Sequence, residues 1–334
     1  MIDITQIFKD RALFSTTRLN ELRKRIADLP EVKDFPNLTI FGTGSYARQE
    51  AGEYSDIDVF FLCKGGPQDL DEPHTRELRL FGKLIEVVDA MGFPRFSNDC
   101  QYLTILHTDD IVRHLGSPND DKMNYFTARM LLLLESKCLY GDTTYNEITQ
   151  AIVSSYFKDY PDHTQTFQPI FILNDICRFW KTLLLNYEHK RNTSSETPEI
   201  KTKQKVKNFK LKFSRMTTCF ATIAALGSYS VPVTERQVIE QTCLTPHERL
   251  KTISGRVPGA TQAVNEVLER YAWFLEKTGL PTEKLQDHFS DKQKRTEMFD
   301  VANAYGDSMF KLLQILDTAR ASGIKPGLLR YLVI

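Results

Sequence analysis

Apolar positions along this chain fall into two regimes. Up to about residue 120, short strand-like runs alternate with helical stripes; from Asp120 onward the apolar pattern keeps a helical period. Leu19, Leu22, Ile26 and Leu29 recur at helical spacing behind a Ser/Thr start, which predicts a helix over 16–29. Pro36 ends that connection, and Leu38-Thr39-Ile40-Phe41 reads as a strand running into glycines. Asp56-Ile57-Asp58 leads into Val59-Phe60-Phe61-Leu62, four strong strand formers, and Lys64-Gly65-Gly66-Pro67 breaks that strand. Leu78, Phe81, Leu84, Ile85, Val88 and Met91 form a helical stripe over 72–91. Gln101 to Leu106 is the next strand candidate, and Asp109 and Asp110 cap a helix at 109–116.

The second regime predicts helices only. Phe126, Met130, Leu133 and Leu134 sit on an apolar helix running to about Gly141-Asp142, and residues 168–190 form another. Asn192 to Pro198 is a polar linker. Helical spacing recurs at 217–226, 263–278 and 298–317, punctuated by Pro232, Pro246, Pro258 and Pro281. Strands with helices first and helices alone afterwards predict an α+β fold.

The candidate chemistry lies in the first regime. Gly42, Gly44 and Ser45 form a tight turn whose missing side chains let backbone N–H groups approach a ligand. Asp56 and Asp58 alternate on one strand, so both carboxylates project to one face with Cα atoms roughly 6.6 Å apart. Two such carboxylates repel unless a divalent cation joins them, and Mg²⁺ takes one or two carboxylates plus substrate phosphate oxygens. A glycine turn for phosphate beside an acidic pair for metal predicts a nucleoside-triphosphate site.

These residues resemble the DNA polymerase β-type nucleotidyltransferase superfamily, whose signature is an apolar residue, Gly-Ser, about ten residues, then Asp-x-Asp on a strand. Gly44-Ser45-Tyr46-Ala47-Arg48-Gln49-Glu50 followed by Ser55-Asp56-Ile57-Asp58 is closest to the nucleotidyltransferase domain of bacterial PII-protein uridylyltransferase, at the same spacing. Asn124 to Asp142 is similar to the helix ending in Gly-Asp that closes that domain. The resemblance covers roughly residues 36–142. It implies a polymerase β-like nucleotidyltransferase domain over 1–142, a small mixed sheet with helices. An all-α domain over 143–334, with a mobile linker at about 191–200, would follow it. A third metal carboxylate is also implied, on a strand adjacent to Asp56 and Asp58. Asp99 is the first choice, since Asp99, Gln101, Leu103 and Ile105 would share a face. The resemblance also places Arg48 near a helix start that favours anions, where it either touches phosphate or pairs with Glu50 or Glu53.

Composition adds three limits. Forty-three basic residues balance forty-three acidic ones, so no global field draws the chain to nucleic acid or an anionic membrane. Six scattered cysteines without C-x-x-C pairs argue against zinc and for a reducing compartment. The first residues lack the apolar core of a signal peptide, and no run approaches membrane-spanning length, so the expected location is cytoplasmic. One local departure stands out: Lys201, Lys203, Lys205, Lys207, Lys210, Lys212 and Arg215 follow one another with no acid between Glu199 and Arg215. Lys207, Lys210 and Lys212 are either a solvated face or the groups that meet a triphosphate or an RNA backbone across the cleft.

The expected function is transfer of a nucleoside monophosphate from a nucleoside triphosphate to an acceptor hydroxyl, with Mg²⁺ or Mn²⁺ as cofactor and pyrophosphate released. The acceptor is a protein, a nucleic-acid end or another nucleotide. The alternative is a catalytically inactive nucleotidyltransferase fold acting as a nucleotide-binding regulatory or antitoxin-like partner.

Overall fold

The computed structural model describes residues 4–66, 71–96, 100, 103–193, 197–321 and 327–333. The chain divides into two compact units, Phe8–Lys158 and Asp159–Ile334 with Met1–Ile7.

The first unit is built on a mixed four-stranded sheet. Helix α1 (Ile4–Ala27) precedes β1 (Leu38–Thr43), a one-turn helix α2 (Gly44–Ala47) and β2 (Asp58–Cys63). Then come α3 (Pro73–Ala90), β3 (Ile105–His107), α4 (Thr108–Arg113), α5 (Pro118–Lys122), α6 (Tyr125–Leu134), β4 (Ser136–Tyr140) and α7 (Asp142–Ser154). The strand order is β3-β2-β1-β4, with β1 antiparallel to both β2 and β4 and β3 parallel to β2. Alternation decides which face each side chain covers. Leu38, Ile40, Ile57, Val59 and Phe61 pack under Leu19, Leu22 and Ile26 of α1 and Leu80, Leu84 and Val88 of α3. On the other face Phe41 stacks on Phe60 at 5.7 Å and meets Tyr145 of α7 at 6.3 Å.

Four expectations change here. Helix α1 begins at Ile4, twelve residues earlier than its apolar stripe predicts. In α3, Leu78 is 57% exposed and Leu80 is buried in its place. The helix expected to run on to Gly141-Asp142 stops at Leu134, and Ser136–Tyr140 becomes a fourth strand. Its residues (Ser-Lys-Cys-Leu-Tyr) carry little strand signal of their own; main-chain bonds to the free side of β1 hold them. Gly141 then turns the chain into α7 at φ +75°, where a Cβ would run into the Leu38 carbonyl. Finally, of the strand expected over 101–106, Gln101 and Tyr102 lie outside the described residues, Leu103 and Thr104 are not in a strand, and β3 is Ile105–His107.

The second unit is helical: α8 (Ile170–Thr193), α9 (Pro198–Lys210), α10 (Met216–Gly227), α11 (Glu235–Cys243), α12 (Pro246–Arg256), α13 (Thr261–Lys277), α14 (Thr282–Ser290), α15 (Lys292–Ala321) and α16 (Leu328–Val333). Of the expected linker, Asn192 and Thr193 belong to α8 and Pro198 begins α9, while residues 194–196 lie outside the described residues. A π-helical turn, Leu211–Arg215, joins α9 to α10. Phe209 and Phe213 on this basic stretch are fully buried, Phe213 stacking at 4.7 Å on Phe274 and at 4.6 Å on Tyr305. Among the described residues, no helix is long and apolar enough to cross a membrane.

Candidate active site

The site forms where β1 hands over to α2 beside the start of β2. Thr43 and Asp58 are opposite one another in the antiparallel ladder, so the turn leaving β1 begins alongside the aspartate. Gly44 adopts φ +70°, the left-handed region that glycine enters without a Cβ clash. A Cβ built there would lie 3.6 Å from Asp58 Oδ2. The glycine therefore does two things: it makes the turn, and it leaves open the space between the backbone and the Asp58 carboxylate. Ser45 follows, half-buried, in the one turn of α2.

Asp58 is the first residue of β2, and Asp56 lies in the chain entering it rather than within the strand. Ile57 between them is buried at 1% exposure, whereas Asp56 is exposed and Asp58 half-exposed. The core takes Ile57, and alternation turns Asp58, the next residue, to the other face. The approach to Asp56 is a closed turn. Ser55 N–H donates to Gly52 O and Gly52 N–H to Ser55 Oγ, both at 3.0 Å. Ser15 of α1 anchors its base, accepting from Ala51 N–H at 3.1 Å while donating to Arg11 O at 2.7 Å.

Arg48 resolves between its two alternatives. Its side chain is nearly buried; Nε donates to Glu50 Oε2 at 2.7 Å and Nη1 to Glu135 Oε2. Of the two alternatives, the pairing with Glu50 is present, with Glu135 as a second partner. Two carboxylates in a dry interior need a shared cation, and Arg48 supplies it. The pairing also ties the end of α2 to Glu135, the residue before β4. Sequence reasoning missed Glu135, and its only signal is a charge directly behind the apolar run Met130–Leu134.

Asp99 lies outside the described residues. Among the described residues no group of three or more His, Cys, Asp or Glu side chains is arranged to hold a metal. Asp58 is the carboxylate beside the Gly44 turn, and Asp56 is exposed two residues before it. Lys207, Lys210 and Lys212 belong to the helical unit. Lys207 and Lys210 are exposed, and Lys212 Nζ donates to Asn303 Oδ1 of α15 at 2.9 Å.

Residues 19–105, which hold α1 from its apolar stripe onward, the Gly44 turn, both aspartates and the start of β3, match the family model of the nucleotidyltransferase domain, the polymerase β-like kind. No curated protein matches the chain.

Proposed function

We propose that this chain is a nucleotidyltransferase that moves a nucleoside monophosphate from a nucleoside triphosphate to an acceptor hydroxyl. The bond broken joins the α- and β-phosphates, and pyrophosphate leaves. The observation that carries this reading is the close approach of the Gly44 turn to the Asp58 carboxylate, inside the stretch that matches the nucleotidyltransferase model. Asp56 and Asp58 are the residues to hold Mg²⁺ or Mn²⁺. A divalent ion there neutralises triphosphate charge and lowers the pKa of the attacking hydroxyl. Gly44 and Ser45 offer backbone N–H groups and a hydroxyl to the phosphates that depart, where negative charge grows as the bond breaks. Lys207, Lys210 and Lys212 keep their two readings, a solvated face of the helical unit or point charges for phosphate. The likeness to PII-protein uridylyltransferase favours a protein hydroxyl as acceptor, by analogy alone.

The test is to incubate pure protein with Mg²⁺ and each labelled triphosphate, with and without cell lysate, and follow pyrophosphate. A labelled polypeptide, a lengthened nucleic acid and a free small product identify the three acceptor classes. No pyrophosphate with any triphosphate, lysate present, refutes the transferase.

The alternative is an inactive fold that binds a nucleotide as a regulatory or antitoxin-like partner. Thermal stabilisation by a triphosphate without Mg²⁺-dependent pyrophosphate release identifies that case.

A further inference from the structure

Tyr46, two residues beyond Gly44, turns its ring into the core under α1 and borders a cavity of about 220 Å³. Phe14 of α1, Tyr46, and Phe93 after α3 form its apolar walls, and Arg18, Glu53 and Ser55 bring polar groups to it. The rings are close-set: Tyr46 lies 6.4 Å from Phe14 and 5.3 Å from Phe93, centroid to centroid. Arg18 is held still among them. Its guanidinium lies 4.3 Å over the Phe93 ring, Nη2 donates to Met91 O at 2.7 Å, and it also bonds the Tyr46 hydroxyl. Those bonds use part of a fork that carries five N–H donors. The nearest carboxylate partner, Glu21, stands at 4.0 Å from Nη1, too far for a hydrogen bond.

A fixed guanidinium at an aromatic-walled cavity sets out a specific chemistry. Arginine's planar fork matches a carboxylate, and aromatic walls favour a planar ring packed edge-to-face or offset. Glu21 and Glu53 already balance the Arg18 charge from nearby, so what the cavity offers a carboxylate is the N–H donors of the fork that remain. A polyanion would meet Glu53, which is exposed at the same cavity. We propose that this cavity binds a small aromatic carboxylate, its ring among Phe14, Tyr46 and Phe93 and its carboxylate on the Arg18 guanidinium. The site uses neither metal nor triphosphate, so it stands or falls separately from the transferase reading.

The experiment titrates the full chain, without Mg²⁺ or nucleotide, with benzoate and with indole-3-acetate by calorimetry and saturation-transfer NMR. Benzyl alcohol and cyclohexanecarboxylate serve as controls for the charge and the ring. The expected result is saturable binding of at least one aromatic acid, with Kd on the order of 10⁻³ to 10⁻⁴ M for so small a ligand. Both controls should bind about tenfold weaker or less well still. Arg18→Gln should weaken the acid by about tenfold or more. Gly92→Asn is the second variant: Gly92 lines the cavity at φ +69° with nothing within 4 Å of a Cβ. Asparagine tolerates that backbone and fills the opening, so binding should fall without loss of the fold. No saturable binding of either acid, equal binding of benzyl alcohol, or unchanged affinity in folded Gly92→Asn protein overturns the proposal.

Discussion

Gly44 faces Asp58 across the end of the β1–β2 ladder, and a Cβ at Gly44 would sit 3.6 Å from Asp58 Oδ2. That spacing is an ordinary contact for a methyl group, so steric collision is not what requires glycine here. The requirement comes from φ +70°, and under the proposed function phosphate oxygens would also lie close to this turn. Gly44→Ala is therefore expected to cost about 1–2 kcal/mol of stability from backbone strain. Its larger effect should be on turnover, at least about tenfold in pyrophosphate release. Urea denaturation alongside a pyrophosphate assay separates the two. Equal losses of folded protein and of activity would mean that the methyl does nothing specific at the site.

Asp58→Asn keeps the shape of the side chain and removes its charge. Loss of one of two metal carboxylates should remove several kcal/mol of barrier lowering, about three decades in rate. Thermal denaturation should change little, because Asp58 is half-exposed. Retained Mg²⁺-dependent turnover would refute the metal assignment.

Arg48→Met tests whether Arg48 serves the fold or the phosphate. Glu50 and Glu135 have side chains 2% and 0% exposed around it. Removing the shared cation leaves two buried carboxylates, a change that costs about 3–5 kcal/mol when one partner of a buried pair is lost. The urea midpoint should fall accordingly. A variant of normal stability with only a raised KM for triphosphate would contradict the buried pairing.

Gly141→Ala should be among the most damaging single methyl additions in the first unit. The new Cβ meets the Leu38 carbonyl, part of the backbone, at φ +75°. Neither a rotamer change nor a small shift of a flexible tip relieves that contact, so β4 must part from β1 at this end. Soluble yield and Tm should both drop, with the loss exceeding that of Gly44→Ala.

His247, in the helical unit, gives a pH-dependent prediction. Burial pushes its pKa down to about 4 from an ordinary 6.5, opposed in part by the charge of Glu248. The folded ring stays neutral while the unfolded ring takes up a proton below 6.5. Stability is thus fully present above pH 6.5 and is lost as pH falls toward about 4. The loss is up to about 3 kcal/mol. His247→Gln should flatten that part of a stability-versus-pH curve; an unchanged slope would show that another group titrates.

How much of this was legible in the chain follows from the range of the interactions involved. The turn at Gly44, the strand behind Asp58, the stripe of α1 and the helices of the second unit rest on neighbours a few residues apart. Glycine's freedom at φ +70°, the period-two alternation around Ile57 and the spacing of Leu19, Leu22 and Ile26 are local facts, and a sequence displays them. Strand β4 is different. Ser136–Tyr140 has weak strand character, and it became a strand because β1 had an open edge for it to pair with. The strand expected at 101–106 is a further difference: alternation suggested it, but Leu103 and Thr104 stand outside β3, which begins at Ile105.

Sequence alone thus determined the α+β class and the placing of a glycine turn ahead of the strand that Asp58 begins, since both follow from short-range sterics and periodicity. Tertiary structure decided which edge captured Ser136–Tyr140, and that Arg48 belongs to Glu50 and to Glu135, eighty-seven residues away. A buried charge takes whichever opposite charge the fold brings to it, and no spacing in the chain announces that meeting.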